Sequence, residues 1–211
     1  MNSKPKPGFF ETDTAAHCGP TAKGEFARTL TMTDVVTGWR QLEALRNTAQ
    51  VHILAGLDRA ATAISYAIAR LDCDNGSEFI NHQVMHWAAD RLTFFTRSRL
   101  YYKNDQAMVE SKNNHVVRRY GFHYRYDTDD ERAILAALWE VVCLKLNFFT
   151  ATKKPNGWSQ DANGKRKRLY QSIIPAQLTC QILMYQDRLI SESKQQARTA
   201  RQQTGIEIKA S

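Results

Sequence analysis

Three acidic residues are spaced so that one fold can gather them: Asp13, Asp74 and Glu110. Asp13 lies inside the first predicted strand, Asp74 stands directly before an Asn-Gly turn, and Glu110 lies in the first turns of a later predicted helix. Thirty-five residues separate Asp74 from Glu110. Carboxylates from different elements can hold two Mg²⁺ ions about 4 Å apart, and such a pair promotes in-line displacement at a phosphodiester. These three residues are therefore the candidate catalytic and metal-binding set.

Each of these carboxylates also has an ordinary interpretation, because a single Asp or Glu is most often a solvated surface charge. Asp13 departs from that pattern, since its strand is predicted to be central and an unpaired carboxylate there is costly. Glu78 is better explained as a charge in the first turn of the helix that follows Asp74. Asp34 and Asp72 lie near the set in the predicted order of elements.

Alternation of apolar and polar residues predicts the elements that must position this set. Three strands open the chain, helices then alternate with two further strands, and a capping box at Thr128 begins the last long helix. Ile134 is among the residues that we expect to face inward on that helix. The order predicts an α/β ribonuclease-H-like fold, a mixed five-stranded sheet flanked by helices. The predicted strands cover residues 9–14, 27–36, 39–46, 64–72 and 92–96, and the predicted helices cover 47–63, 77–88, 104–119 and 128–146.

The composition changes along the chain and predicts three regions. Residues 1–7 are predicted to be a disordered lead-in, 8–150 a catalytic core, and 151–211 a basic extension with a polar helical tail. Six Lys or Arg residues stand against one Asp between positions 150 and 170. The Lys165-Arg-Lys-Arg168 cluster is a candidate phosphate-binding strip, although basic loops are common on protein surfaces.

The charge and the cysteines narrow the class of partner and the compartment. A net charge of +8 and a pI near 9.4 favour a polyanionic partner, with nucleic acid as the first candidate. The four cysteines form no CxxC pair, which argues against a zinc knuckle or a disulfide framework. Because no signal peptide or bilayer-length apolar run is found, we expect a cytoplasmic, nucleoid-associated protein with no membrane partner.

Basic and polar residues around Glu110 are candidates for DNA contact. Such residues on an active-site helix can bind phosphates or present base-edge contacts. A solvated helix face is an equally good interpretation for Arg118 and Arg119. The loop after the fifth strand interleaves cations with Tyr101 and Tyr102, which suits phosphate contact and base stacking. The candidate DNA-binding residues are Lys112, Asn113, Arg118, Arg119, Arg97 and Lys103.

Several segments carry recognisable motifs. They are DTAAHCG around Asp13, LTMTDVVTGW on the second strand, LDCDNGSEF around Asp74, FFTRSRLYYKNDQAMVESKNNHVVRR around Glu110, and YRYDTDDERAILAALW, NFFTATKKPNGW and GKRKRLY further on. Together they resemble insertion-sequence transposases, which share the integrase catalytic core of the DDE superfamily with retroviral integrases. The resemblance selects Asp74 over Asp72 as the ligand, because the family motif places the ligand before Asn-Gly.

The resemblance implies a function as well as a fold. It implies two Mg²⁺ ions, for which Mn²⁺ can substitute, and metal-dependent DNA cleavage and strand transfer without a covalent protein–DNA intermediate. The implied partners are transposon ends and target DNA. A homodimer or larger assembly is expected on DNA, since two active sites are needed to join two ends.

Departures from the family leave alternatives open. Relatives usually carry an N-terminal helix-turn-helix region, whereas this sequence begins at the first predicted catalytic strand. Leu100 and Met108 stand where the family pattern has a proline and a polar residue or histidine. One alternative is a truncated, catalytically silent remnant that binds DNA or full-length transposase as an inhibitor; another is a structure-directed nuclease of the same fold. Retention of all three carboxylates favours the strand transferase.

Overall fold

A mixed five-stranded sheet forms the centre of the fold. The structure, a computed structural model, describes residues 6–74, 76, 78–79, 81–97, 113–161 and 164–173. The elements of its first half are β1 (Phe9–Ala16), β2 (Arg28–Asp34), β3 (Arg40–Leu45), α1 (Gln50–Ala63), β4 (Arg70–Cys73), α2 (His82–Asp90) and β5 (Phe94–Arg97). The strand order is β3-β2-β1-β4-β5, with β1 to β3 antiparallel and with β4 and β5 parallel to β1. The predicted mixed sheet is therefore confirmed.

Helical segments and a hairpin make up the second half. A π-helical turn (Asn113–Val117) continues into α3 (Arg118–Gly121), α4 (Asp129–Leu144) continues into a second π-helical turn (Lys145–Phe149), and β6 (Thr152–Gln160) pairs with β7 (Arg166–Ile173). The predicted capping box is confirmed, because Thr128 and Glu131 each accept a hydrogen bond from the other's backbone N–H. None of the described helices is both long and apolar enough to cross a bilayer.

Two apolar cores lie on opposite faces of the sheet. Because successive strand residues point to opposite faces, β1 contributes Phe10 to one core and Ala15 to the other. The first core is formed with α1 and α2, and the second is formed with α4. Asn147 satisfies backbone groups on the edge strand β3. Its side chain accepts a hydrogen bond from the backbone N–H of Arg40 (2.9 Å) and donates one to the Arg40 carbonyl (2.8 Å).

Two predicted elements begin later in the chain than expected. The fourth strand was predicted over 64–72, but β4 begins at Arg70. Ile64, Tyr66 and Ile68 alternate inward as strand residues do, yet they lie in an extended segment that packs on the core without joining the sheet. The helix predicted from a cap at Ser77 begins at His82, where the Asn81 side chain accepts from the backbone N–H of Val84. Ser77 itself lies outside the described residues.

The inward face predicted for α4 is wrong at one position. Ile134 is 70% exposed. Leu135, Trp139 and Val142 form the buried stripe instead, with Leu146 one turn further on. The capping box fixes the first turn of the helix, but which face is buried depends on how α4 lies on the sheet.

A buried chain of polar groups joins β1, β2 and α4. The Thr29 hydroxyl accepts from Nε1 of Trp139 (2.9 Å) and lies 2.8 Å from Nε2 of His17. Burial, with Arg118 and Arg28 nearby, lowers the pKa of His17 to about 4. A neutral His17 that accepts from the Thr29 hydroxyl satisfies both contacts. His17 itself is completely buried.

The Thr29 hydroxyl is expected to be worth more to stability than its neighbour. Thr29→Val keeps the shape of the side chain but leaves Trp139 and His17 with buried unpaired groups, so the free energy of unfolding should fall by about 2–4 kcal/mol. Thr31 lies on the same strand and face, is equally buried, and its hydroxyl has no partner among the described residues. Thr31→Val should change stability by less than about 1 kcal/mol. Urea unfolding measures both, and equal losses would contradict the assignment.

Candidate active site

Two of the predicted catalytic residues meet where the ladder between β1 and β4 ends, Asp13 within β1 and Asp74 directly after β4. Thr12 and Cys73 are the last pair of the parallel ladder between these strands. Asp13 and Asp74 are the residues that follow this pair in each segment, and their carboxyl groups interact directly. The meeting follows from the register of the parallel ladder, which places the residue after Thr12 beside the residue after Cys73. Glu110, the third member of the predicted set, lies outside the described residues.

Burial and like charge raise the pKa of both carboxyl groups. The pKa of Asp13 is raised from 3.8 to about 6, first by burial and then by the charge of Asp74. Burial is also the largest cause that raises the pKa of Asp74, and the charge of Glu78 adds to it. Two backbone N–H groups oppose these shifts: Thr14 donates to Oδ1 of Asp13 (2.6 Å), and Gly76 donates to Oδ1 of Asp74 (2.9 Å).

Glu78 belongs to the surroundings of the carboxylate pair, and its predicted role in the first turn of a helix is wrong. It lies before α2 begins, and its Oε1 accepts from the Thr14 hydroxyl (2.9 Å). Arg28 in turn donates to Thr14 Oγ1 from Nε (3.2 Å) and from a terminal nitrogen (2.9 Å), and this nitrogen lies 3.8 Å from Glu78 Oε1. Neither Arg28 nor Glu78 was among the predicted site residues. The alternation of side chains along β2, which places Arg28 opposite Ala16, could have indicated Arg28.

Gly76 allows the loop after β4 to fold tightly against the site. A Cβ atom at this position would stand 2.6 Å from Glu78 Oε2 and 2.8 Å from Asp74 Oδ1. Both carboxylates would have to move to admit a side chain. The glycine of the Asn-Gly turn therefore allows these two acidic groups to approach each other in their present positions.

The carboxylate pair fits a hard divalent cation. Oxygen ligands and negative charge are what Mg²⁺ selects, and Asp13 and Asp74 bring two carboxyl groups together in a partly buried position. Within the described ranges, no group of three or more His, Cys, Asp or Glu residues could hold a metal ion. The pair thus supplies two ligands, and the predicted third, Glu110, is outside that part of the chain.

Asp34 and Asp72, which the predicted order of elements placed near the site, form hydrogen bonds outside the carboxylate pair. Asp34 is fully buried and accepts hydrogen bonds from the backbone N–H of Gly8 (2.7 Å) and from the Tyr66 hydroxyl (2.9 Å), as well as from two N–H groups of its own turn. It therefore closes a turn at the far end of β2, opposite Phe10. Asp72 accepts a hydrogen bond from the Thr96 hydroxyl on β5.

The predicted DNA-binding residues are only partly described. Arg97 is exposed at the end of β5, and Arg119 is exposed on α3. Arg118 donates to the carbonyl of Ala16 (2.8 Å), which ties α3 to the end of β1. Lys103, Lys112 and the side chain of Asn113 lie outside the described residues, so their roles stay predictions.

A second basic surface lies on the hairpin of β6 and β7. Lys165 to Arg168 are all exposed, and the Arg168 guanidinium stands 4.9 Å from the centre of the Trp158 ring. Trp158 and Tyr170 are also exposed. The cluster predicted as a phosphate-binding strip therefore lies on a two-stranded ribbon with aromatic side chains beside the cations.

Comparison with known proteins identifies a family for the segment that contains the carboxylate pair. A sequence model of the integrase core domain matches residues 5–103. The chain is 37% identical over 150 residues to y4rM, an uncharacterised protein of Sinorhizobium fredii, and the match covers 71% of this chain and 43% of that protein. The chain therefore spans less than half the length of this curated relative.

Solved structures of retroviral integrases share the fold at low sequence identity. The catalytic core of HTLV-2 integrase, solved with magnesium in a dimeric form, has a TM-score of 0.51 and 12% identity over 69% of this chain and 90% of that one. An integrase chain of a simian T-cell lymphotropic virus intasome has a TM-score of 0.52 and 13% identity over 78% and 67% of the two chains. The predicted ribonuclease-H-like fold is confirmed, and residues 5–103 of this chain match the sequence model of the integrase core domain.

Proposed function

We propose that this chain is the catalytic core of a DDE transposase or integrase that cuts DNA at an element's end and joins it to target DNA. The observation that carries the proposal is geometric: Asp13 and Asp74 meet where the ladder between β1 and β4 ends, within the segment that matches the integrase core domain. We assign the core to residues 8–150 and the basic extension to 151–211. Its place of action is then the nucleoid.

The residues of the site have distinct tasks in this proposal. Asp13, Asp74 and Glu110 hold two Mg²⁺ ions, which when bound lower the pKa of a water and neutralise charge on the phosphate. The backbone N–H groups of Thr14 and Gly76 hold the first two carboxylates in a fixed orientation. No nucleophilic side chain is required, and burial raises the pKa of the nearby Cys73 thiol well above its usual range. The chain's contribution is positioning and charge.

The alternative is a silent remnant that binds DNA or a full-length transposase and inhibits it. It keeps the DNA contacts but requires no chemistry at the carboxylates. Two acidic groups that repel each other in a half-buried site are costly without a cation, which supports the enzyme over the remnant. We also expect a dimer or larger assembly on DNA. Two of the fold relatives were solved in a dimeric form and in an intasome.

Metal binding should change the free energy of unfolding. Because the pKa of Asp13 is raised to about 6, its charged form destabilises the fold above that pH, and the penalty declines as the pH falls towards 4. In EDTA at pH 8, Asp13→Asn should therefore raise the free energy of unfolding by about 1–3 kcal/mol. The gain should shrink between pH 6 and pH 4.

Added Mg²⁺ should stabilise the natural chain and leave the Asp13→Asn variant unchanged, since only a ligand bound to the folded state shifts the equilibrium. Asp130→Asn, which removes an exposed carboxylate on α4, is the matched control: Mg²⁺ should stabilise it as it does the natural chain, and it should show no gain in stability in EDTA at pH 8. Thermal unfolding measures all three. Equal stabilisation of Asp13→Asn by Mg²⁺ would place the metal elsewhere.

Strand joining tests the chemistry. A branched DNA that mimics the joined product, supplied with Mg²⁺ or Mn²⁺, presents the reacting ends already in place. Asp74→Asn and Glu110→Gln should each lower the rate by more than about 100-fold, because even indirect disturbance of a metal site costs 10–100-fold. Asp130→Asn should retain the rate. A folded chain that is inactive with either metal would favour the remnant.

The hairpin of β6 and β7 is proposed as a DNA contact. A two-stranded ribbon is marginally stable alone, and it has the width to enter a major groove. On one face Arg166 pairs with Gln160 and Arg168 with Trp158, so cations and an aromatic ring stand side by side. Phosphate binding with stacking on an aromatic ring suits such a surface.

Salt dependence tests this contact without catalysis. In EDTA, the Arg166→Gln/Arg168→Gln variant should bind a short duplex more weakly, and the slope of log affinity against log salt should fall by about two. The control is Arg59→Gln/Arg91→Gln, which removes two cations that are already paired with Glu43 and Asp58. Identical slopes for the two variants would show that the ribbon is only part of a general positive charge.

A further inference from the structure

The outer face of α4 carries an apolar stripe in addition to its buried one. Val141 is 64% exposed and Leu144 is 54% exposed, while Ala137 is exposed one turn before them and Phe148 is partly exposed in the π-helical turn that follows. Leu144, Val141 and Ala137 are separated by three and four residues, and Phe148 extends the stripe by four more. This spacing is the seam of a coiled coil, which a second helix covers.

A segment of the same chain has the matching pattern. Residues 174–211 lie outside the described part, and the sequence predicts helix over 175–203. Leu178, Ile182, Tyr185 and Leu189 are separated by four, three and four residues. Polar residues fill most of the positions between them. The segment therefore offers an apolar edge with the period of the stripe on α4, and Leu183, Met184 and Ile190 lie beside this edge.

The spacing of four, three and four residues is the same in both directions along a helix, so it fits either orientation, and the position of the hairpin selects the antiparallel one. Each step backwards along α4 then matches a step forwards along the tail, without a gap or a skipped position. Antiparallel coiled coils are built from such layers, in which the two seam positions of the partners alternate. The layers are Phe148 with Leu178, Leu144 with Ile182, Val141 with Tyr185, and Ala137 with Leu189.

The hairpin brings the tail to the correct end of the stripe. β6 and β7 are antiparallel, and their ladder closes with Thr152 paired to Ile173. The chain therefore returns to the end of the π-helical turn at Phe149 before the tail begins. Four residues connect Ile173 to Leu178, and they include Pro175, a residue favoured at the first position of a helix. A connection this short favours an antiparallel neighbour.

Charge supports the same direction. The first turn of α4 is acidic, with Asp129, Asp130 and Glu131. In the antiparallel register the tail carries Lys194 and Arg198 past this turn. Opposite charges therefore meet beyond the last apolar layer, and the antiparallel helix dipoles are mutually favourable.

We propose that residues 178–189 form a helix that packs antiparallel on the outer face of α4, in the register given above. The tail then anchors the second strand of the basic hairpin as α4 anchors the first. The hairpin is held at both ends, which fixes the direction in which its cations point. This inference does not depend on the catalytic proposal.

Cysteine cross-linking in the full chain tests the register. Cys18 and Cys180 are first replaced by Ser, while the buried Cys73 and Cys143 are retained. Val141→Cys with Tyr185→Cys joins one proposed layer, and Val141→Cys with Asp187→Cys places the second thiol off the seam as a control. Under mild oxidation the first pair should form a disulfide within one chain roughly tenfold faster than the second, because docking raises the effective concentration. Non-reducing gels and mass spectrometry read the product.

Two outcomes would overturn the proposal. Equal rates for the two pairs would mean that the tail does not dock on α4, and a product of twice the mass would mean that a second copy of the chain covers the stripe. Stability provides an independent measurement. Val141→Lys and Tyr185→Lys should each lower the urea midpoint, and the double variant should lose little more than either alone. Glu140→Lys, exposed beside the seam, should have no effect, and a Val141→Lys variant with an unchanged midpoint would contradict docking.

Discussion

Two carboxylates that repel each other are held side by side because β1 and β4 are adjacent parallel strands, and their ladder ends one residue before each aspartate. The ladder from Phe9 to Thr12 fixes the register, and one residue later each strand presents an aspartate. The surrounding groups follow from this constraint. Thr14 and Gly76 donate backbone N–H groups to the pair, and a side chain at Gly76 would displace Asp74 and Glu78 from their present positions.

Placing Asp13 beside Asp74 lowers the stability of the fold, and the rest of the sheet compensates for this loss. The raised pKa of Asp13 means that the folded chain carries unfavourable charge in the absence of a cation. Stabilising interactions elsewhere in the fold offset this unfavourable free energy. One of them is the Thr29 hydroxyl, which contacts both His17 and Trp139. A site of this kind is preorganised for a metal and for charge that develops on a phosphate. Stability and the proposed chemistry therefore oppose each other at the same two residues.

The second half of the chain adds surfaces for partners to this site. α4 covers one face of the sheet and leaves an apolar seam on its outer side, while the hairpin that follows carries exposed cations beside Trp158. In the proposed arrangement the tail closes the seam and fixes the hairpin, so that DNA meets an anchored basic ribbon. The core and the extension would then be coupled through one helix.

Local patterns in the sequence predicted the order of the elements and the capping box at Thr128. They also predicted that Asp13 lies in the first strand and that Asp74 lies directly before a turn. These features could be predicted because hydrophobic periodicity, turn residues and helix caps act over a few residues. The sequence did not reveal that Glu78 faces Thr14 and Arg28, that Ile134 points outward, or that residues 64–69 pack inward without joining the sheet. Each of these depends on how one element lies on another. Alternating burial looks the same in a strand and in an extended segment, and a helix has two apolar faces of which only one can meet the sheet. Long-range packing decided between them, and that information is not contained in any short window of the chain.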